Sequence, residues 1–185
     1  MEMDDNQSVK NFLEGNDAAF EELVKKYLKP IYNFLYRLTN DRPAAEDISQ
    51  DAFLKAWKNL RRFDQKRNFK TWLFTIAKNT AFDHFKRKKE IPFAVFADEE
   101  GESAFGEIPD ENILPDEVLE RSDMAEELDT ILQKIPSQYG AILLLYYKED
   151  FSLHEIAEIL GEPYNTIKSR HRRALMTLKK AILGA

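Results

Sequence analysis

The chain has 185 residues, 43% of them hydrophobic, with six glycines, no cysteine and a net charge of −6. That length holds one ordinary domain or two small ones, and the lack of cysteine excludes disulfides and thiolate metal sites and suits a reducing cytoplasm. The charge is segregated: residues 1–89 carry 18 Lys and Arg against 13 Asp and Glu, residues 90–120 none against 11, and residues 121–185 nine of each, six of these cations following Pro163, where no acid occurs.

No stretch alternates with period two, so an all-α fold is expected. The start, Met1 to Asn6, is polar and acidic, unlike a signal peptide. Asp17 is placed to cap a helix with apolar positions Phe20, Leu23, Val24, Tyr27, Leu28, Ile31, Phe34, Leu35 and Leu38, which Pro30 should kink or split. A second helix opens at Asp41-Arg-Pro43 and runs to about Leu60, burying Ile48, Ala52, Phe53 and Ala56. A third begins near Asn68 and ends in the basic run Lys86–Lys89, whose cations suit the negative end of the helix dipole. The acidic, proline-interrupted stretch that follows reads as an extended linker. Beyond it, a helix from about Pro115 to Ile135 should bury Leu128, Ile131, Leu132 and Ile135. Another, from about Pro136, should bury Tyr139, Ile142, Leu143 and Tyr146. The longest apolar run, Ala141–Tyr147, is far too short to span a bilayer. Ser152-Leu-His-Glu155 matches the capping-box pattern, Gly161 supplies a left-handed stop, and Pro163 opens a last helix.

These last two helices form a helix-turn-helix. Tyr164, Ile167, Ala174, Leu175, Leu178 and Ile182 make one apolar stripe, set to pack on Ile156, Ala157, Ile159 and Leu160. Asn165, Thr166, Lys168, Ser169, Arg170, Arg172 and Arg173 are left facing outward, as donors for base edges and phosphates. The third helix interleaves aromatics with bases, an arrangement that stacks on unpaired bases. Core packing is the plainer role for its aromatics, Trp72 and Phe82. The preceding loop, Arg61–Asn68, adds cations and amides that could cradle an extruded base. On the second helix Glu46, Asp47, Gln50 and Asp51 lie opposite the apolar stripe. With no histidine nearby they suit a solvated face or a docking surface better than a metal site, and no cofactor is expected. His84, His154 and His171 fall on different helices beside no nucleophile, so no catalytic arrangement emerges.

Together these segments resemble a bacterial RNA polymerase sigma factor of the extracytoplasmic-function (ECF) subfamily. Ala44–Trp57 is similar to the segment that binds core polymerase. Phe69–Asn79 with Asp83 and Lys86–Lys89 is similar to the segment that melts DNA and reads the start-proximal promoter element. Phe151–Gly161 followed by Asn165–Ala174 is similar to the reader of the upstream element. The resemblance implies two small helical domains, 1–90 and 116–185, joined by an acidic linker over 91–115. It implies docking on the clamp of the polymerase's largest subunit through Asp47, Gln50, Asp51, Leu54 and Lys58, and contact with the flap region. Lys66, Arg67, Asn68, Lys70, Thr71, Trp72, Asn79, Asp83, Lys86 and Arg87 would melt and hold start-proximal promoter DNA. Asn165, Thr166, Lys168, Ser169, Arg170, Arg172 and Arg173 would bind the upstream element. An anti-sigma factor, responding to stress or envelope signals, is a further implied partner. The acidic stretch Glu90–Glu120 would mimic nucleic-acid charge in the polymerase channel and be displaced by the transcript. Tyr164 and His171 depart from the family's pattern and leave open which bases are read.

A free-standing helix-turn-helix regulator would explain the C-terminus but leaves Asp47–Asp51 and Lys86–Lys89 without a role. A magnesium nuclease built on Glu46, Asp47 and Asp51 is the more distant alternative.

Overall fold

The computed structural model describes residues 4–88, 132 and 135–183, with side chains as far as Lys180. The linker over 91–115, most of the helix expected from about Pro115, and the side chain of Ile182 lie outside these residues. Of that helix's stripe, Leu132 and Ile135 are described and both are buried.

Every regular element described is helical. The N-terminal body contains α1 (Asp5–Leu13), α2 (Ala18–Thr39), α3 (Arg42–Asn59), a 3-10 turn at Leu60–Arg62, and α4 (Phe69–Lys88). α1 is not evident from the sequence, because Val9 and Phe12 are its only buried apolar side chains. It is tied to α2 by Asp5, whose carboxylate accepts from the Tyr27 hydroxyl and, at 2.7 Å, from Lys26. Burial and the facing Asp5 carboxylate push the Tyr27 hydroxyl's pKa far upward, so it remains a donor. Asp17 stands at the N-cap of α2 but makes no side-chain capping bond.

Pro30 does not split α2, which continues for 22 residues. A mid-helix proline costs about 3 kcal/mol, but Tyr27, Ile31, Phe34 and Leu35 around it are all buried, and burying one such side chain is worth roughly 1.5–3 kcal/mol. Leu28, expected on the apolar face, is 51% exposed, one step round from that buried row. Asn40 ends α2 in the left-handed conformation at φ 51°. Asp41 then caps α3 by accepting the Ala44 N–H at 3.2 Å, with proline in the first turn as expected.

The C-terminal body contains α5 (Ser137–Leu143), a wide π-type turn at Leu144–Lys148, α6 (Leu153–Leu160) and α7 (Tyr164–Leu183). Both halves of the Ser152–Glu155 capping box form, and Gly161 ends α6 at φ +70°. The apolar stripe of α7 is buried at Ile167, Ala174, Leu175 and Leu178. Its first member is not: Tyr164 is 37% exposed, and its ring stacks on His154, with centroids 4.1 Å apart and planes at 17°.

The two bodies pack on each other. α4 lies against α6, and α2 against α5. One apolar cluster runs from Phe34 and Phe74 to Ile142, Leu145, Phe151 and Ile156. At its centre Phe74 meets Phe151 edge-on, with ring centroids 5.0 Å apart.

Candidate polymerase and promoter interfaces

α3 presents two faces. Ala44, Ala45, Ile48, Ala52, Phe53 and Ala56 pack inward. Asp47, the adjacent pair Gln50 and Asp51, Leu54 and Lys58 are set three or four residues apart along one face, and all are exposed. Leu54 is 55% and Trp57 48% exposed. Trp57 closes the Ala44–Trp57 segment but is absent from the expected docking residues, although it lies three residues beyond Leu54 and could have been found by extending that stripe. Two exposed ion pairs tie α3 to α4: Lys55 to Asp83 at 3.0 Å and Arg87 to Asp51 at 3.9 Å. Pairs this open to water are worth roughly 0–1 kcal/mol each.

The residues expected at the start-proximal element fall into two groups. Lys66, Arg67, Asn68 and Lys70 gather where the loop enters α4, while Asn79, Asp83, Lys86 and Arg87 are exposed on its later turns. The rise of a helix separates Lys70 from Arg87 by about 25 Å, which suits a tracked strand better than one pocket. Asn68 has a structural task, capping α4 by accepting the Thr71 N–H at 3.0 Å. Thr71 itself is 3% exposed and therefore not an open contact. Trp72 packs against Phe63 at 4.9 Å and Phe69 at 5.7 Å, the plainer of its two expected roles.

On the helix-turn-helix, Asn165, Lys168 and Ser169 are exposed, and Thr166, Arg172 and Arg173 are half-buried. The outward placement of Arg170 is corrected. It is 4% exposed, with its guanidinium 3.6 Å from the Glu162 carboxylate. The reason is helical spacing: Arg170 lies three residues after buried Ile167 and four before buried Ala174, so it shares their side of α7. His171 is half-buried too, its ring 4.5 Å from that of Tyr146 and 6.0 Å from that of Tyr147. Burial holds its pKa below the usual histidine value, and Nε2 has no protein partner among the described residues. No group of three His, Cys, Asp or Glu among the described residues is arranged to hold a metal ion.

The Sigma-70 region 2 family matches residues 23–91, and the Sigma-70, region 4 family matches residues 125–178. The ECF RNA polymerase sigma factor SigW of Bacillus subtilis is 33% identical over 184 residues, covering 98% of each chain. The chain belongs to the ECF sigma factors. The RNA polymerase sigma-H factor of Pseudomonas aeruginosa is 31% identical over 180 residues, covering 96% of this chain and 93% of its own. Two solved structures share the fold. CnrH, in complex with the cytosolic domain of CnrY, has a TM-score of 0.63 at 22% identity and covers 97% of each chain. RpoE of Bartonella quintana, in complex with the anti-sigma factor NepR, has a TM-score of 0.61 at 24% identity, covering 89% of this chain and 96% of its own.

As a sigma factor, the chain binds core RNA polymerase and directs promoter recognition, DNA melting and initiation. Region 2 contains α3 and α4, with the exposed Leu54–Trp57 face and the basic loop. Region 4 contains the helix-turn-helix. The free-standing regulator is set aside, because it gives region 2 no task. No described helix is long and apolar enough to cross a membrane.

Proposed function

We propose the following division of labour within this sigma factor. Residues 1–90 hold the polymerase and start-proximal promoter, residues 91–115 connect, and residues 116–185 read the upstream element and meet the flap region. The α3 stripe of Asp47, Gln50, Asp51, Leu54 and Lys58, extended by Trp57, docks on the clamp. Lys66, Arg67, Asn68 and Lys70 frame the place where an unpaired base is captured, so that its binding energy offsets the few kcal/mol of unstacking. Asn79, Asp83, Lys86 and Arg87 follow the adjacent backbone. Asn165, Thr166, Lys168, Ser169, Arg172 and Arg173 contact the upstream duplex, with Arg170 acting through Glu162 from beneath. The chain acts in the cytoplasm by binding alone, without catalysis of its own. An anti-sigma factor restrains it, as the NepR complex suggests by analogy.

The observation that carries this reading is the exposure of Leu54 and Trp57 beside carboxylates on an otherwise well-packed helix, since apolar side chains clustered in water mark a protein-docking face. Size exclusion with core RNA polymerase tests it. Wild-type chain is expected to co-elute, and the Gln50→Ala, Asp51→Lys double variant to elute apart. Equal co-elution of both would remove the docking face from α3.

A further inference from the structure

We propose that Tyr164, braced by His154, is a specificity-determining residue of the upstream reader, its ring making apolar contact with the 5-methyl group of a thymine in the major groove. This rests on the reading of the C-terminal body as the part that binds the upstream duplex. Neither side chain belongs to the buried core or to the cation row of α7. Ile167, Ala174, Leu175 and Leu178 sink the apolar stripe of α7 into the body, whereas Tyr164, its first member, stays 37% exposed. His154 is exposed as well. Aromatic rings left in water gain by covering each other, and these two do so, nearly parallel at 17° with centroids 4.1 Å apart.

Local backbone geometry fixes where this pair stands. The Ser152–Glu155 capping box sets the start of α6 and with it the position of His154. At the other end of α6 the Gly161 and Glu162 N–H groups both donate to the Ala157 carbonyl, at 2.9 and 3.1 Å, and the left-handed Gly161 turns the chain into α7. Tyr164 is thereby the first residue of α7 and His154 the second of α6. In a helix-turn-helix on a duplex, the start of the second helix meets base edges while the first helix crosses the backbone. The stack therefore holds the Tyr164 ring from the side at the place where bases are read, and a side chain already ordered gives up less freedom on binding. Asn165, Lys168 and Ser169, exposed just beyond it, supply hydrogen-bond donors. Tyr164 adds a broad apolar surface, which they lack. The thymine 5-methyl is the apolar group that marks one base pair from another in the major groove, so it is what such a ring can distinguish. His154 is a positioning residue, acting on sequence preference through the Tyr164 ring.

The test uses the whole chain bound to core RNA polymerase and a pool of duplexes randomised over the upstream element. The wild-type complex should select a sequence in which replacing one thymine by uracil, which removes only the methyl group, weakens binding about fourfold, the worth of one buried methyl-sized group. Tyr164→Ala should bind the thymine and uracil duplexes equally. His154→Ala should lower the ratio toward one, and His154→Phe, which keeps a flat ring to stack on, should restore it; a merely structural role would change the affinity for both duplexes alike. The uracil scan needs no variant, so a folding defect in Tyr164→Ala leaves its result standing. A selected sequence with no thymine on either strand, indifference to uracil at every thymine, or a Tyr164→Ala complex that keeps the wild-type ratio would overturn the thymine contact and leave the upstream reader intact. A wild-type complex that selects no upstream sequence would overturn that reading, and the contact with it.

Discussion

His171, on α7, packs against the rings of Tyr146 and Tyr147, and burial lowers its pKa. The unfolded chain takes up a proton there near the ordinary histidine value, while the folded chain resists it, so stability is full above that value and falls as pH drops through it toward the lower folded value. The melting temperature is expected to decline between pH 7.5 and 5.5, and a His171→Phe variant to decline less; parallel curves would mean that the ring titrates freely. At this scale the sequence was only partly legible. The exposure of Asp47, Gln50, Asp51, Leu54 and Lys58 follows from their spacing alone. Arg170 was misread because charge was weighed above register, although Ile167 and Ala174 already fixed its side. The Tyr164–His154 stack could not be read at all, since it depends on how two helices cross.

Helix α6 shows how local signals act together. Ser152 and Glu155 close a capping box at its start, and Gly161 turns left-handed at its end. Gly161→Ala is expected to cost about 1–2 kcal/mol in chemical denaturation, the penalty of a left-handed non-glycine residue. The 3.2 Å approach of the Lys78 ammonium adds little, because the end of a flexible side chain can swing away. A loss below a few tenths of a kcal/mol would mean that the turn relaxes. Elements with caps, such as α3 and α6, were legible for this reason. The turn at Leu144–Lys148 was not, because the run Ala141–Tyr147 is apolar throughout and nothing in it marks where the helix widens.

Across the whole molecule the charge segregation was plain in the sequence, but the mutual packing of the two bodies was not. It depends on residues such as Phe74 and Phe151, which are far apart in sequence and each belong to the apolar set of their own body. The shared cluster predicts that unfolding is one cooperative transition in calorimetry. Phe151→Ala, which empties part of that cluster, should cost about 3–5 kcal/mol and divide the transition into two; a single undivided peak would show that the bodies remain coupled without it.

The edge-on meeting of Phe74 and Phe151 also limits how this protein can be recombined. Each ring shapes the space that the other fills, so a change of size on one side has to be met by a change on the other. A chimera that takes region 2 from one sigma factor and region 4 from another would inherit mismatched faces at this seam, even where both halves fold and each keeps its own DNA contacts.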